Sequence, residues 1–510
     1  MKRMGLIALV LVMLGAFQTA PAPAQESSPY WPTGGWRSST PEAQGMDSER
    51  LAAVLTYIHD LGLNIHSVLV IRNGYLVTEA YLYPYDATTP HELRSATKSF
   101  TSALIGIAIG QGYIQGVDRP LLDFFPDRSI ANLDDAKRGI TLEDVLTMSS
   151  GLDWPGGLSE PLLNSLFQSR DWAQFVLDRP MADEPGSTFA YNSGGSHLLT
   201  TILEQTTGMH VLDFARKNLF DPLGFGAVSW TTDPQGIAMG GSGLSLTPPD
   251  MAKLGYLYLK GGQWDGQQIV PAGWVAASTR AHIAAAPITD GYGYQWWVAS
   301  SGYYTAAGYG GQHIFVQPEL NMVVVFTSGM ATAPTGTHQH LLDLIFEAVQ
   351  SADPLPENPA GASALDAAEA LTQPDPSLAP ELPETAQRLS GKTIALADNR
   401  MGWETLSLTF ADGEGVARMT VDGSLPIQIG LDGAYRAADL PPQVVGPAPN
   451  TRIMGRGTWT RNTLFACEFQ IMGSPEDPMQ VTLDVEGDTV HVRAVGIQPQ
   501  VIELTGTLQE

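Results

Sequence analysis

Cysteine is almost absent from this chain: among 510 residues only Cys467 carries a thiol. One thiol excludes an intrachain disulfide, a cysteine-based zinc cluster and an iron–sulfur site. Cys467 is expected as a buried small residue in a strand. Basic charge is scarce too, with 27 lysines and arginines against 53 acids and a formal net charge of −26. Any partner would meet a negative surface, so binding of nucleic acid through phosphate neutralisation is not expected. Beyond the first two dozen residues no uncharged apolar run reaches the length that spans a bilayer, and stable membrane insertion is not expected. The sequence also lacks a Gly-x-Ser-x-Gly elbow, which argues against a standard α/β-hydrolase.

Apolar material is plentiful. Hydrophobic residues make up 44% and charged residues 16%, with 53 Gly and 36 Pro, enough for sizeable cores and many ordered turns. At roughly 150 residues per domain the length allows two or three domains. Met1-Lys2-Arg3-Met4, an apolar run from Leu6 to Phe17 and Ala22-Pro23-Ala24 follow the charged, hydrophobic and small-residue order of a secretory signal. Residues 1–24 are read as that signal, cleaved after Ala24, which places the mature chain in the periplasm or outside the cell. The alternative, a membrane anchor, would have to span with twelve apolar residues.

Residues 25–350 alternate helical and strand patterns, as expected of an α+β domain. Val68–Ile71 and Tyr75–Val77 flank Arg72-Asn73-Gly74, and Asn-Gly between β-rich runs is the strongest short hairpin signal. A second hairpin is expected from His313–Val316 and Met322–Phe326 around Pro318 and Asn321. Between them the pattern is mostly helical, with starts at Thr141 and at Thr247-Pro248, so strands from both ends should meet in one sheet. Residues 351–388, rich in Pro and Ala, read as a linker with a helix near Ala362–Leu371 inside it. A chain ending near Gln350 is accordingly expected to keep its catalytic core. Residues 389–510 show strands punctuated by Asp412-Gly413, Asp422-Gly423, Asp432-Gly433 and Gly487-Asp488, the spacing of an all-β barrel or sandwich.

The chemistry starts at Ser95-Ala96-Thr97-Lys98, which opens an apolar helix carrying Phe100, Leu104, Ile107 and Ala108. Three residues of helix rise about 4.5 Å and turn about 300°, so the hydroxyl and the amine share a face. A hydroxyl is a weak nucleophile, and a desolvated lysine can serve as its base. The helix start adds backbone N–H groups where an oxyanion would develop. A capping serine beside a solvated lysine would look the same in four letters. In this apolar setting, a lysine needs a reason to be there.

Leu93–Phe100, Leu146–Leu152 and Gly241–Thr247 together resemble the class C β-lactamase-related serine hydrolases, which include D-alanyl-D-alanine peptidases, esterases and 6-aminohexanoate-dimer hydrolase. The resemblance runs from about Trp36 to Phe346. It implies a β-lactamase/transpeptidase-like mixed sheet with flanking helices and a helical subdomain, with the site between them. It assigns Ser95 as nucleophile, Lys98 and Tyr191 as the acid–base pair, and the backbone N–H groups of Ser95 and Gln312 as the oxyanion hole. Asn192, Ser193, Tyr309, Gly310 and Gly311 are the implied substrate-binding residues. Two positions depart from the family pattern: Ser193 stands where many relatives have Asn, and Tyr309 where many have Lys or His to pair with a substrate carboxylate.

His338-Gln339-His340 has no acidic or cysteine partners at ligand spacing, so no metal site is assigned, and no cofactor is required. Trp154, Trp296 and Trp297 are read as cleft or core residues. The expected function is a secreted serine hydrolase acting on a small-molecule or peptide substrate: an ester or amide, alternatively a β-lactam or D-Ala-D-Ala peptide. The rival is a non-catalytic receptor of the same fold for a cell-wall or peptide ligand. Oligomeric state is not legible.

Overall fold

The computed structural model describes residues 30–331, 336–373, 381–411, 415–424, 426–439, 452–496 and 501–509. The expected export segment, the Asp412-Gly413 turn and Pro374, Pro376 and Pro380 lie outside them. Among the described residues no helix is long and apolar enough to cross a membrane.

Helix α1 (Ser48–Asp60) starts on Asp47, whose carboxylate accepts from the N–H groups of Glu49 and Arg50. Strand β1 (Ile65–Arg72) turns back into β2 (Tyr75–Tyr81) through Asn73 and Gly74, both at positive φ, the pairing that a tight hairpin needs. Then come helix α2 (Thr97–Gly110) and, in the helical subdomain, α3 (Ser193–Thr207). Strands β3 (Tyr304–Gly308), β4 (Gln312–Gln317) and β5 (Met322–Ser328) complete the sheet with three two-residue edge strands, and α4 (Thr337–Glu347) follows. In the eight-stranded order β1 lies between β2 and β5. The N- and C-terminal strands therefore do meet. Every residue of β1 and β5 is buried, because helices cover both faces of that pair.

Beyond residue 390 a ring of nine antiparallel-ordered strands closes into a barrel, and a tenth, Arg436–Asp439, pairs only along its rim. An odd ring cannot alternate direction throughout, and here Ile427–Gly430 meets Arg452–Arg461 in parallel at Gly430 and Arg456. Leu408, Phe410, Phe465, Cys467, Leu483 and Val490 fill the interior, so this is a packed core with no free central edge. Of the two expected architectures, barrel or sandwich, the strand pairing shows a barrel.

The expectation of few contacts along residues 351–388 is not met. Helix α5 (Pro359–Ala370) lies against α1 and buries Leu365 and Ala368 in the same cluster as Leu51, Leu55 and Ile58. Gly361 comes so near that a Cβ there would sit 2.2 Å from Ser48 Oγ. Buried Arg72 donates to Ser351 O at 2.8 Å and to Gln44 O at 2.7 Å, tying the exit of the catalytic domain back to its start. Pro359 opens the docked helix at its first position. The barrel in turn touches the catalytic domain where Gln470 Nε2 meets His66 Nε2 at 2.9 Å. His66 stacks on Tyr85, and burial, with His91 beside it, holds this imidazole well below the ordinary histidine range.

Because Leu365 is nearly closed to water, Leu365→Ala should destabilise the protein by roughly 2–5 kcal/mol, the range for emptying a core leucine site. Urea unfolding followed by tryptophan fluorescence measures this. An unchanged midpoint would mean that α5 rests on α1 without stabilising it.

Candidate active site

Leu93 donates to Leu244 O at 2.8 Å, and Ala96 N–H returns to Leu93 O at 3.1 Å, forming a tight turn over Arg94–Ala96. Ser95 thus lies in a 3-10 turn, and α2 proper begins two residues later than expected. Arg94 takes the left-handed conformation, φ +48°, with its N–H held by Glu92 Oε1 at 2.9 Å. Single non-glycine residues adopt that conformation at a cost of about 1–2 kcal/mol. The bend leaves Ser95 half-buried at the head of a helix that is buried from Thr97 through Ala108.

Lys98 is 1% exposed. Its Nζ lies 3.0 Å from Ser95 Oγ, 2.8 Å from Ser193 Oγ and 2.8 Å from Gly241 O. Three neighbours account for the three hydrogens of an ammonium. Tyr191 presents its ring to the same amine, 4.8 Å from centroid to Nζ, and stacks at 16° on Trp297. No hydrogen bond joins its hydroxyl to Lys98 or Ser95. Asn192 is the N-cap of α3, accepting from Gly195 N–H at 2.8 Å, and is buried.

A residue that sequence reasoning missed completes this group. Glu160 is buried; one oxygen accepts from Trp154 Nε1 at 2.9 Å and Ser193 N–H at 2.6 Å, the other from Ser193 Oγ at 2.6 Å. With its proton committed to the carboxylate, the Ser193 hydroxyl can only accept from Lys98. Glu160 belongs to a Gly-Gly-Leu-Ser-Glu-Pro stretch that reads as a surface turn, and its φ of +38° is equally hard to foresee. Trp154 and Trp297 therefore support site residues, whereas Trp296 packs in the core against Tyr258.

The Tyr309-Gly310-Gly311 turn joins β3 to β4 beside the Ser95 turn. A Cβ on Gly308 would lie 2.2 Å from Leu93 O and 3.2 Å from Ala96 N, so the strand end abuts the Ser95 turn. Gly310 and Gly311 both have positive φ; a Cβ on them would strike Pro475 O at 2.1 Å and the His338 ring at 2.2 Å. His338, from the pair set aside as a metal site, accepts or donates at Ser328 Oγ, 3.0 Å away. Gln312 is buried, its side-chain amide donating to Ser328 O. Tyr309 is half exposed.

Residues 56–348, more than half of the chain, match the family model described as Beta-lactamase. The chain belongs to the β-lactamase family. The 6-aminohexanoate-dimer hydrolase of Paenarthrobacter ureafaciens is 24% identical over 320 residues, 57% of this chain and 80% of that protein. A monacolin J acid methylbutanoyltransferase of Aspergillus terreus is 29% identical over 163 residues, covering 28% of this chain and 38% of that one. Among solved structures, a Bacillus anthracis protein assigned as a 6-aminohexanoate-dimer hydrolase superposes with a TM-score of 0.53 at 21% identity, over 63% of this chain and 89% of that one. That likeness carries the fold. The protein is a β-lactamase-family serine hydrolase.

Since Ser193 is the joint between Lys98 and Glu160, Ser193→Ala should lower kcat/KM at least about tenfold on any substrate, by leaving one amine hydrogen and one carboxylate oxygen unmatched. Steady-state kinetics with circular dichroism as a folding control checks this, and unchanged kinetics would remove the joint from the site.

Proposed function

We propose that the protein hydrolyses esters and uncharged amides through an acyl-enzyme on Ser95. The observation that carries this is the 3.0 Å approach of the buried Lys98 Nζ to Ser95 Oγ. Uncharged Lys98 has two hydrogens, and two of its neighbours, Gly241 O and the committed Ser193 Oγ, can only accept. Its lone pair is then left facing the Ser95 hydroxyl. Ser95 Oγ attacks the substrate carbonyl carbon while its proton passes to Lys98 Nζ. The backbone N–H groups of Ser95 and Gln312 receive the oxyanion, and the proton moves on to the leaving group as the carbon–leaving-group bond breaks. Water then attacks the acyl carbon with Lys98 again as base, and the proton passes on to Ser95 Oγ as the acyl–oxygen bond breaks and the acid product leaves. Tyr191 is the second proton carrier, and its ring face stabilises the ammonium as it forms.

The substrate class follows from Tyr309. A neutral side chain at that place offers no ion pair to a carboxylate, which favours neutral esters and amides over β-lactams and D-Ala peptides. Similarity to a 6-aminohexanoate-dimer hydrolase supports including amides. The signal-like order of residues 1–24 supports a site of action outside the cytoplasm.

Ser95→Ala should abolish turnover of p-nitrophenyl esters and labelling by a fluorophosphonate while the protein stays folded. Lys98→Ala and Tyr191→Phe should each slow acylation at least about a hundredfold, the scale of a positioned acid–base group. Full activity in Ser95→Ala would sink the mechanism, and a loss under tenfold in Tyr191→Phe would leave Tyr191 only its ring.

A second measurement addresses the substrate. The wild type should prefer a short neutral ester to nitrocefin in kcat/KM, and Tyr309→Lys should move the ratio toward nitrocefin by about tenfold or more, the worth of one charged hydrogen bond. A wild type that prefers nitrocefin would overturn the neutral-substrate reading.

A further inference from the structure

The barrel domain has no place in the chemistry above, yet one of its loops, residues 472–478, reaches the nucleophile's surroundings. Gly473 O accepts from Glu92 N–H at 3.1 Å. Pro475 O occupies the space a side chain on Gly310 would need, and Glu476 O does the same at Gly329, 2.6 Å from where its Cβ would lie. The Glu476 carboxylate binds an Arg94 terminal nitrogen at 2.9 Å. Three of these four contacts, on Glu92, Arg94 and Gly310, fall within three residues of Ser95 or Gln312.

Arg94 is the cation next to the nucleophile, and its guanidinium lies 6.0 Å from the Tyr309 ring centroid. In this position a free arginine would offer a substrate carboxylate a two-pronged partner. It is not free: Nε lies 2.9 Å from Glu92 Oε2 on one side and a terminal nitrogen 2.9 Å from Glu476 Oε1 on the other. The Tyr309 hydroxyl therefore feels Glu476, Asp477 and Arg94 together, and burial with the two carboxylates pushes this phenol above its ordinary range. Tyr309, Glu476 and Asp477 also line a cavity of about 920 Å³ between catalytic domain and barrel.

From this we infer that Glu476 is a specificity-determining residue: the barrel takes Arg94 out of service and so makes the Ser95 site select against substrates bearing a carboxylate. The inference rests on the acyl-enzyme reading and adds to it a reason for the second domain. It also separates two roles that one arginine cannot fill together, holding the barrel loop and anchoring an anionic substrate.

The test compares two p-nitrophenyl esters of equal chain length, one ending in a methyl group and one in a carboxylate. The wild type should prefer the neutral ester. In full-length Glu476→Gln the anionic-to-neutral ratio of kcat/KM should rise on the order of tenfold, because the amide keeps the shape but removes one of the two carboxylates that neutralise the guanidinium. Adding Arg94→Gln to that variant should cancel the gain. Arg94→Gln alone should leave the ratio where it was, and this variant decides the matter should Glu476→Gln fold poorly. A ratio unmoved in Glu476→Gln, or a fall in the ratio when Arg94→Gln is made alone, would overturn the inference. If neither ester is turned over and no fluorophosphonate labels Ser95, the acyl-enzyme reading fails and this inference with it.

Discussion

An amine hidden from water governs the arrangement of this site. Desolvating a charged group costs several kcal/mol unless it is hydrogen-bonded on all sides, and Lys98 is almost completely buried. Its three partners come from three different parts of the chain: the turn before α2, the first residue of α3 and the glycine segment at 240–241. The requirement reaches outward from there. A Cβ on Gly240 would lie 2.1 Å from Ser196 O and one on Gly241 2.9 Å from Ser193 O, so only a glycine pair lets this segment lie on the start of α3 and bring its carbonyl to the amine. Thr101 Oγ1 donates to Gly240 O at 2.9 Å and fixes the same segment to α2. Two helices and a loop are held together by what one lysine needs.

Glu160 extends that logic by one bond. A buried carboxylate carries its own desolvation cost, met here by three donors, two of them from Ser193 and one from Trp154. Those bonds set the direction of the Ser193 hydroxyl, which accepts from Lys98 and, in the proposed mechanism, leaves the side of the amine facing Ser95 to take the proton. In this scheme nucleophile, base and orienting group form a line of Ser95, Lys98 and Ser193 with Glu160 behind it, the general pattern of an activated hydroxyl. Tyr191 approaches from the side, by its face, within the cluster of Met148, Tyr292 and Trp297.

What could be read from the sequence was local or repeated. Asn73-Gly74 announces its hairpin because both residues tolerate positive φ, and Ser95 with Lys98 stand out because helix geometry alone puts them together. Glu160 and Glu476 could not be read: their partners lie 33 and 382 positions away, and each sits in a Pro-containing stretch that resembles a surface turn. The Pro-rich segment misled for a related reason. Proline restricts the backbone whether a segment is free or docked, and what distinguishes the two cases here is the match of Leu365 and Ala368 to a groove on α1, which no local pattern reveals. Asn192, implied as a substrate ligand by its neighbours, also caps α3 through its side-chain oxygen, a role set by its position before the helix.

The Tyr-Gly-Gly turn shows how a short motif can answer several constraints together. Its glycines permit the positive φ values that reverse the chain between β3 and β4. The same missing side chains admit the Pro475 carbonyl against Gly310 and the His338 ring against Gly311. A Cβ at Gly310 would therefore disturb the turn and the barrel contact in one step, and a Cβ at Gly311 would displace α4 from behind the strand that carries Gln312. A closed barrel suits the domain on the far side of that contact. With no free central edge to pair elsewhere and a filled interior, it can hold residues 472–478 as a fixed projection. A carbonyl and a carboxylate placed by such a projection are as much part of the walls around Ser95 as the residues of the catalytic domain itself.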